Sequence, residues 1–175
     1  MSNANTSQAL YGLTAQTINA STETLLTQVV NGTATTAILS VPANWNYNAR
    51  SFRVRLIGTA TGGTSATLIL KLRLGTTISG TNIASYTVSG AAIPTPTLGG
   101  SNFSVWADLT YDPTSGQLNG TFGGQTANTP TTSAAITQGT GITSVAGLQF
   151  VASATFGAAV ATNSITVTEF SIEQV

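Results

Sequence analysis

The sequence predicts an all-β fold, an antiparallel β-sandwich of jelly-roll type with an extended N-terminal arm. Three observations carry that prediction. Apolar and polar residues alternate over short runs, the period-two pattern of strands buried on one face. Gly, Asn, Pro and Ser interrupt those runs at a spacing of roughly 8–12 residues, as in sandwiches and barrels. No segment carries an apolar stripe of 3.6-residue period, so no amphipathic helix is expected. Strand order is not readable from one sequence, and an immunoglobulin-like Greek key is the alternative topology.

Residues 1–20 are polar and read as the arm; residues 21–175 read as a single sandwich domain. The start, Met1-Ser2-Asn3-Ala4-Asn5-Thr6-Ser7-Gln8, lacks the basic and apolar regions of a secretory signal. Strands are expected over 24–30 and 37–41. Phe52-Arg53-Val54-Arg55-Leu56 then places Phe52, Val54 and Leu56 on one face and the arginines on the other. Leu68-Ile69-Leu70-Lys71-Leu72-Arg73-Leu74 repeats the device. Gly62-Gly63 between them reads as a hairpin turn, which would pair the two strands and put Arg53, Arg55, Lys71 and Arg73 on one outward face. After a further strand over 82–88, Phe103, Val105, Ala107 and Leu109 form an apolar face, with Trp106 and Asp108 opposite. Asp112-Pro113-Thr114-Ser115-Gly116 reads as a turn, Pro fixing φ and Gly supplying a positive-φ position. Residues 117–122 return antiparallel. The Thr-, Gly- and Gln-rich stretch 123–141 reads as a long loop, and 147–156 and 164–172 close the domain as two strands.

The ionisable inventory is the main constraint on function. Only 6% of the 175 residues are charged, five of each sign, with no histidine and no cysteine; soluble domains carry about a quarter. A Ser-His-Asp triad is impossible and thiolate chemistry is excluded. Asp108 and Asp112 lie about 13 Å apart along a strand, beyond the ~5–9.5 Å separation of glycosidase carboxylates. Gly62-Gly63, Gly99-Gly100 and Gly123-Gly124 lack the Lys-Ser/Thr and helix of a phosphate loop and read as turns. No catalytic, cofactor-binding or metal-ligating residue is expected, and the chain is not read as an enzyme. Zero net charge and a pI near 6.0 give no attraction to nucleic acid, and no run approaches the ~20 apolar residues of a membrane span.

What remains is contact. Arg50, Arg53, Arg55, Lys71 and Arg73 cluster within 24 positions. Asp108, Glu169 or Glu173 on neighbouring strands would neutralise some of them; otherwise they form a docking patch for an acidic partner. An outward Trp106 marks a subunit interface or a sugar-stacking platform. Trp45 and Tyr47, in Pro42-Ala43-Asn44-Trp45-Asn46-Tyr47-Asn48, cap the sandwich or reach a partner or glycan.

The segments 52–60 and 66–75, Ser104-Val105-Trp106-Ala107-Asp108-Leu109-Thr110, and the ending 161–173 together resemble tailed-phage virion structural β-sandwich proteins of the head decoration or cement type. The resemblance covers residues 36–173. It implies a capsid-stabilising protein made in the host bacterial cytoplasm. The partner would be the major capsid protein, the state a homotrimer and the place the capsid's outer surface. The resemblance supplies no functional residues; from the chain's own pattern, residues 1–20 are expected to be the main capsid contact and Arg53, Arg55, Lys71 and Arg73 a second. The alternatives are a tail or fibre carbohydrate- or receptor-binding module using Trp45, Tyr47 and Trp106, and a tail or neck structural protein.

Overall fold

The computed structural model describes residues 8–11, 13, 15–18, 21–43, 51–62, 67–88, 101–112, 114–126, 129–130, 134–138 and 147–175. Among these are fifteen strands and no helix: β1 (Gln8–Tyr11), β2 (Gln16–Thr17), β3 (Thr24–Leu25), β4 (Thr27–Val30), β5 (Thr33–Thr36), β6 (Ile38–Val41), β7 (Ser51–Thr61), β8 (Leu68–Leu74), β9 (Thr81–Val88), β10 (Ser101–Asp112), β11 (Gln117–Thr126), β12 (Thr129–Pro130), β13 (Ala134–Gln138), β14 (Leu148–Phe156) and β15 (Ser164–Gln174). They form an antiparallel sandwich of jelly-roll type, as predicted. The larger sheet runs β1-β15-β7-β10-β11-β12, with β2 also on β15 and β13 also on β11. The smaller runs β3-β14-β8-β9, with β6 also on β14. β4 and β5 make a separate hairpin whose turn holds Asn31 and Gly32 at positive φ, the geometry that favours this pair.

Alternation builds the core. Phe52, Val54 and Leu56 of β7, Val105, Ala107 and Leu109 of β10, and Phe170 and Ile172 of β15 face inward from one sheet. Leu68, Leu70 and Leu72 of β8 and Phe150, Ala152, Ala154 and Phe156 of β14 face them from the other. Nearly all are removed from water entirely, and that apolar burial is the main force closing the sandwich.

Two expectations are corrected by this topology. β7 and β8 do not pair through residues 62–63: β7 lies between β10 and β15, and β8 between β14 and β9. Both strands turn their leucines inward from opposite sheets, so the chain between them crosses from one layer to the other. The stretch 123–141 is not all loop. β11 extends to Thr126, and β12 and β13 add to its edge. The described part of residues 1–20 is extended and packs on the sandwich. β1 and β2 pair with β15, Leu13 and Ile18 are buried in the core, and two glutamines tie the segment to the other sheet. Gln8 Oε1 accepts the Ser40 N–H at 2.6 Å. Gln16 donates to the Leu25 carbonyl at 3.0 Å and accepts the Thr27 N–H at 3.2 Å. The segment thereby closes the open side of the sandwich and satisfies backbone groups that an edge would leave unpaired.

The Asp112 turn forms as expected. Gly116 has φ 66°, its N–H reaches the Asp112 carbonyl, and the Asp112 carboxylate accepts Thr114 N–H and Ser115 Oγ–H. Those bonds, Ser115 first, hold the carboxyl below its ordinary range.

Candidate functional site

The outer face of the larger sheet carries the polar half of the alternation, and its registers set the side chains out in rows. Glu173, Arg53, Asp108 and Thr121 lie opposite one another across β15, β7, β10 and β11. The next row is Ser171, Arg55, Trp106 and Gly123; the one after is Glu169, Ile57, Ser104 and Gln125. Thr166, Thr59 and Asn102 follow. Between the last two rows β15 shifts register at Thr168, between Val167 and Glu169, a bulge that bends the strand locally.

Trp106 is central. It points outward, as its place in the alternation predicts, and is half-buried. Its indole packs closely against β11 because position 123 has no side chain: a Cβ there would meet Trp106 Cζ2 at 2.6 Å. The adjacent Gly124 does the same on the inner face, where a Cβ would meet the Tyr86 ring at 2.6 Å. Gly123-Gly124 is therefore no turn. It is a mid-strand pair that receives one aromatic ring on each side of the sheet, a close approach that glycine permits in strands.

Arg53, Arg55, Ser104, Trp106, Gln125 and Glu173 line an open depression of about 450 Å³. A second, of about 410 Å³, adjoins it along β10 and is lined among others by Ile57, Thr59, Asn102, Ser104, Gln125 and Thr168. Arg53 is held by Asp108 in a two-point pair, Nε–Oδ1 2.6 Å and Nη2–Oδ2 3.0 Å, one of the intramolecular pairings the sequence offered. This pair, with Glu173 beyond it, raises the already high pKa of the guanidinium. Both side chains are more than a third exposed, so the pair orients Arg53 more than it stabilises the fold. The side chains of Arg55, Gln125 and Glu173 and the Trp106 indole N–H form no hydrogen bond or ion pair with one another or with other described residues. Their capacity to bond faces the depression.

Lys71 and Arg73 are not part of this site. They lie on the outer face of the smaller sheet and converge on Glu23, a residue the sequence reading passed over. Lys71 Nζ reaches Oε2 at 2.9 Å, and Arg73 contributes Nε to Oε1 at 2.6 Å and Nη2 to Oε2 at 2.7 Å. The fully buried Ser153 hydroxyl also donates to Oε1. The Arg73 bonds above all hold the Glu23 carboxyl at about 2, against the desolvation that would raise it. The four-cation patch is thus split between opposite faces of the molecule. Arg50, Trp45 and Tyr47 lie outside the described residues. No group of three or more potential metal ligands occurs among the described residues.

No protein-family model and no curated protein sequence matches the chain. Among solved structures, the chain is similar to the CBM2 module of the evolved Dit of Lactobacillus casei BL23 phage J-1, at a TM-score of 0.45 and 14% identity over 96% of this chain and 89% of that one. It is also similar to lectin I from Ulex europaeus in complex with the methyl glycoside of α-L-fucose, at 0.38 and 11% over 95% and 96%. The lectin UEA-II complexed with galactose gives 0.37 and 10% over 95% and 97%.

Proposed function

We propose that the chain is a carbohydrate-binding module that takes a glycan on the outer face of its larger sheet, with Trp106 as the stacking platform. The observation that carries this reading is the arrangement around the indole. A half-buried aromatic ring packs against Gly123 and shares its depression with Arg55, Gln125, Ser104 and Glu173. A pyranose has one face of C–H bonds and a rim of hydroxyls. The C–H face meets the electron-rich face of the indole, while planar guanidinium, amide and carboxylate groups bond the rim in pairs.

Capsid docking has less to stand on. Its two expected contacts are the N-terminal arm and four cations on one face. From Gln8 onward the described part of the arm is paired in the sheet, and Lys71 and Arg73 are engaged by Glu23 on the opposite face. On a phage particle a glycan-binding sandwich belongs to the tail or fibre, where the host surface is met.

A glycan array probed with the native chain and with Trp106→Ala tests the proposal. Removing the ring is expected to weaken binding roughly 5- to 30-fold, the ~1–2 kcal/mol of an aromatic contact. Because the half-buried ring also packs on β11, some loss of thermal stability is expected, and a melt confirms that the variant is folded. Undiminished binding by the folded variant would refute it.

A further inference from the structure

We infer that the ligand is an uncharged oligosaccharide of at least two sugar units lying along β10, from Trp106 toward Asn102. This rests on the glycan-binding reading and adds length, direction and charge to it. Two depressions adjoin on the outer face and share Ser104 and Gln125 as common walls. The first holds the aromatic platform. The second offers a different chemistry, the apolar Ile57 beside the hydroxyls of Thr59 and Thr168 and the amide of Asn102. Trp106 and Asn102 are four residues apart on one strand, about 13 Å at ~3.3 Å per residue, more than a single pyranose ring spans. Ser104, midway between them, and Gln125, across on β11, are placed to bond the link between units.

The charges on this face set the class. Asp108, Glu169 and Glu173 oppose Arg53 and Arg55, three negative groups against two positive. The Arg53 guanidinium is committed to Asp108 through two hydrogen bonds. Arg55 sits opposite Ser171, diagonally between Glu169 and Glu173 on β15. Arg55 makes no ion pair, but Glu169 and Glu173 flank it diagonally, so a carboxylated sugar reaching for it would be repelled by two carboxylates. A neutral hydroxyl rim is bonded by both signs.

Calorimetric titration with neutral oligomers of one to six units (glucose, galactose and N-acetylglucosamine series) and with uronic- and sialic-acid-bearing counterparts tests this. Affinity is expected to rise about tenfold from one unit to two or three and then level off. Carboxylated counterparts bind more weakly at low salt, with a gap that narrows as salt screens it. Asn102→Ala is expected to reduce the ratio of trimer to monomer affinity. A monosaccharide binding as tightly as the oligomers, or acidic glycans binding more tightly than neutral ones, would overturn the inference and leave the glycan-binding reading standing. Binding to none of these glycans, nor to any on the array, would overturn both.

Discussion

Replacing Glu23 by Gln is expected to destabilise the sandwich by about 3 kcal/mol at neutral pH and to remove most of its acid sensitivity. The carboxylate has two cationic partners, and all three side chains are largely shielded, exposed by 17% at Glu23, 25% at Lys71 and 11% at Arg73. Deleting one member of such a cluster leaves the others half-buried and unpaired, an effect of roughly 3–5 kcal/mol for fully buried pairs and less where water has access. The pH dependence follows from the same geometry. The carboxyl titrates at about 2 when folded and near 4.5 when free, so the unfolded chain binds more protons between those values. Its stabilisation is complete above about 4.5 and is lost as the pH falls through about 2, and a shift of this size is worth roughly 3 kcal/mol. Denaturant titrations at intervals from pH 7 to pH 2 check this. The native chain loses stability steeply below about 4.5, whereas E23Q starts lower and follows a flatter curve. Equal slopes for the two proteins would show that Glu23 is not the group responsible.

Gly120→Ala is expected to be more damaging still. Gly120 lies opposite Leu109 in the β10–β11 hairpin, and a Cβ at this position would sit 1.7 Å from the Asp108 carbonyl oxygen. The obstacle is backbone, which has no rotamer with which to yield. β11 must move away from β10, carrying Gly123 and Gly124 off the rings they receive. Losses of 4–5 kcal/mol or more arise only from a few such mechanisms, and ~4 kcal/mol lowers the melting temperature of a chain this size by roughly 8–16 °C. Thr121→Ala, next door and facing solvent, is expected to stay within about ±0.5 kcal/mol. Calorimetric melts of the two variants make the comparison. Similar melting temperatures would contradict the close approach.

The faces of individual strands were legible because alternation is a local signal. Phe52, Val54 and Leu56, Leu68 to Leu72 at alternate positions, and the outward Trp106 all sit as their spacing implies. The layer each strand joins was not legible. β7 and β8 have the same pattern whether they pair or cross between sheets, and only the long-range partners β10, β15, β14 and β9 decide it. Glu23 escaped notice for the same reason, since it lies 48 and 50 residues from its cations in a stretch, Ser21-Thr22-Glu23-Thr24, with no periodicity. β12 and β13 are held by backbone bonds to the edge of β11 in a segment rich in small residues, so their pairing leaves little trace in side-chain pattern. Gly123-Gly124 misleads because paired glycines usually mark turns. Here they mark where rings press on the backbone, and only the placement of Trp106 and Tyr86 reveals it.

The most direct test of the site is the indole N–H resonance of Trp106, assigned by comparison with a Trp45→Phe variant and followed during titration with the tightest-binding neutral oligosaccharide. The account predicts that this resonance moves in step with occupancy, together with the backbone amides of Gly123, Gln125 and Asn102. Saturable binding that leaves Trp106 unmoved and shifts residues of β8 and β14 instead would contradict it.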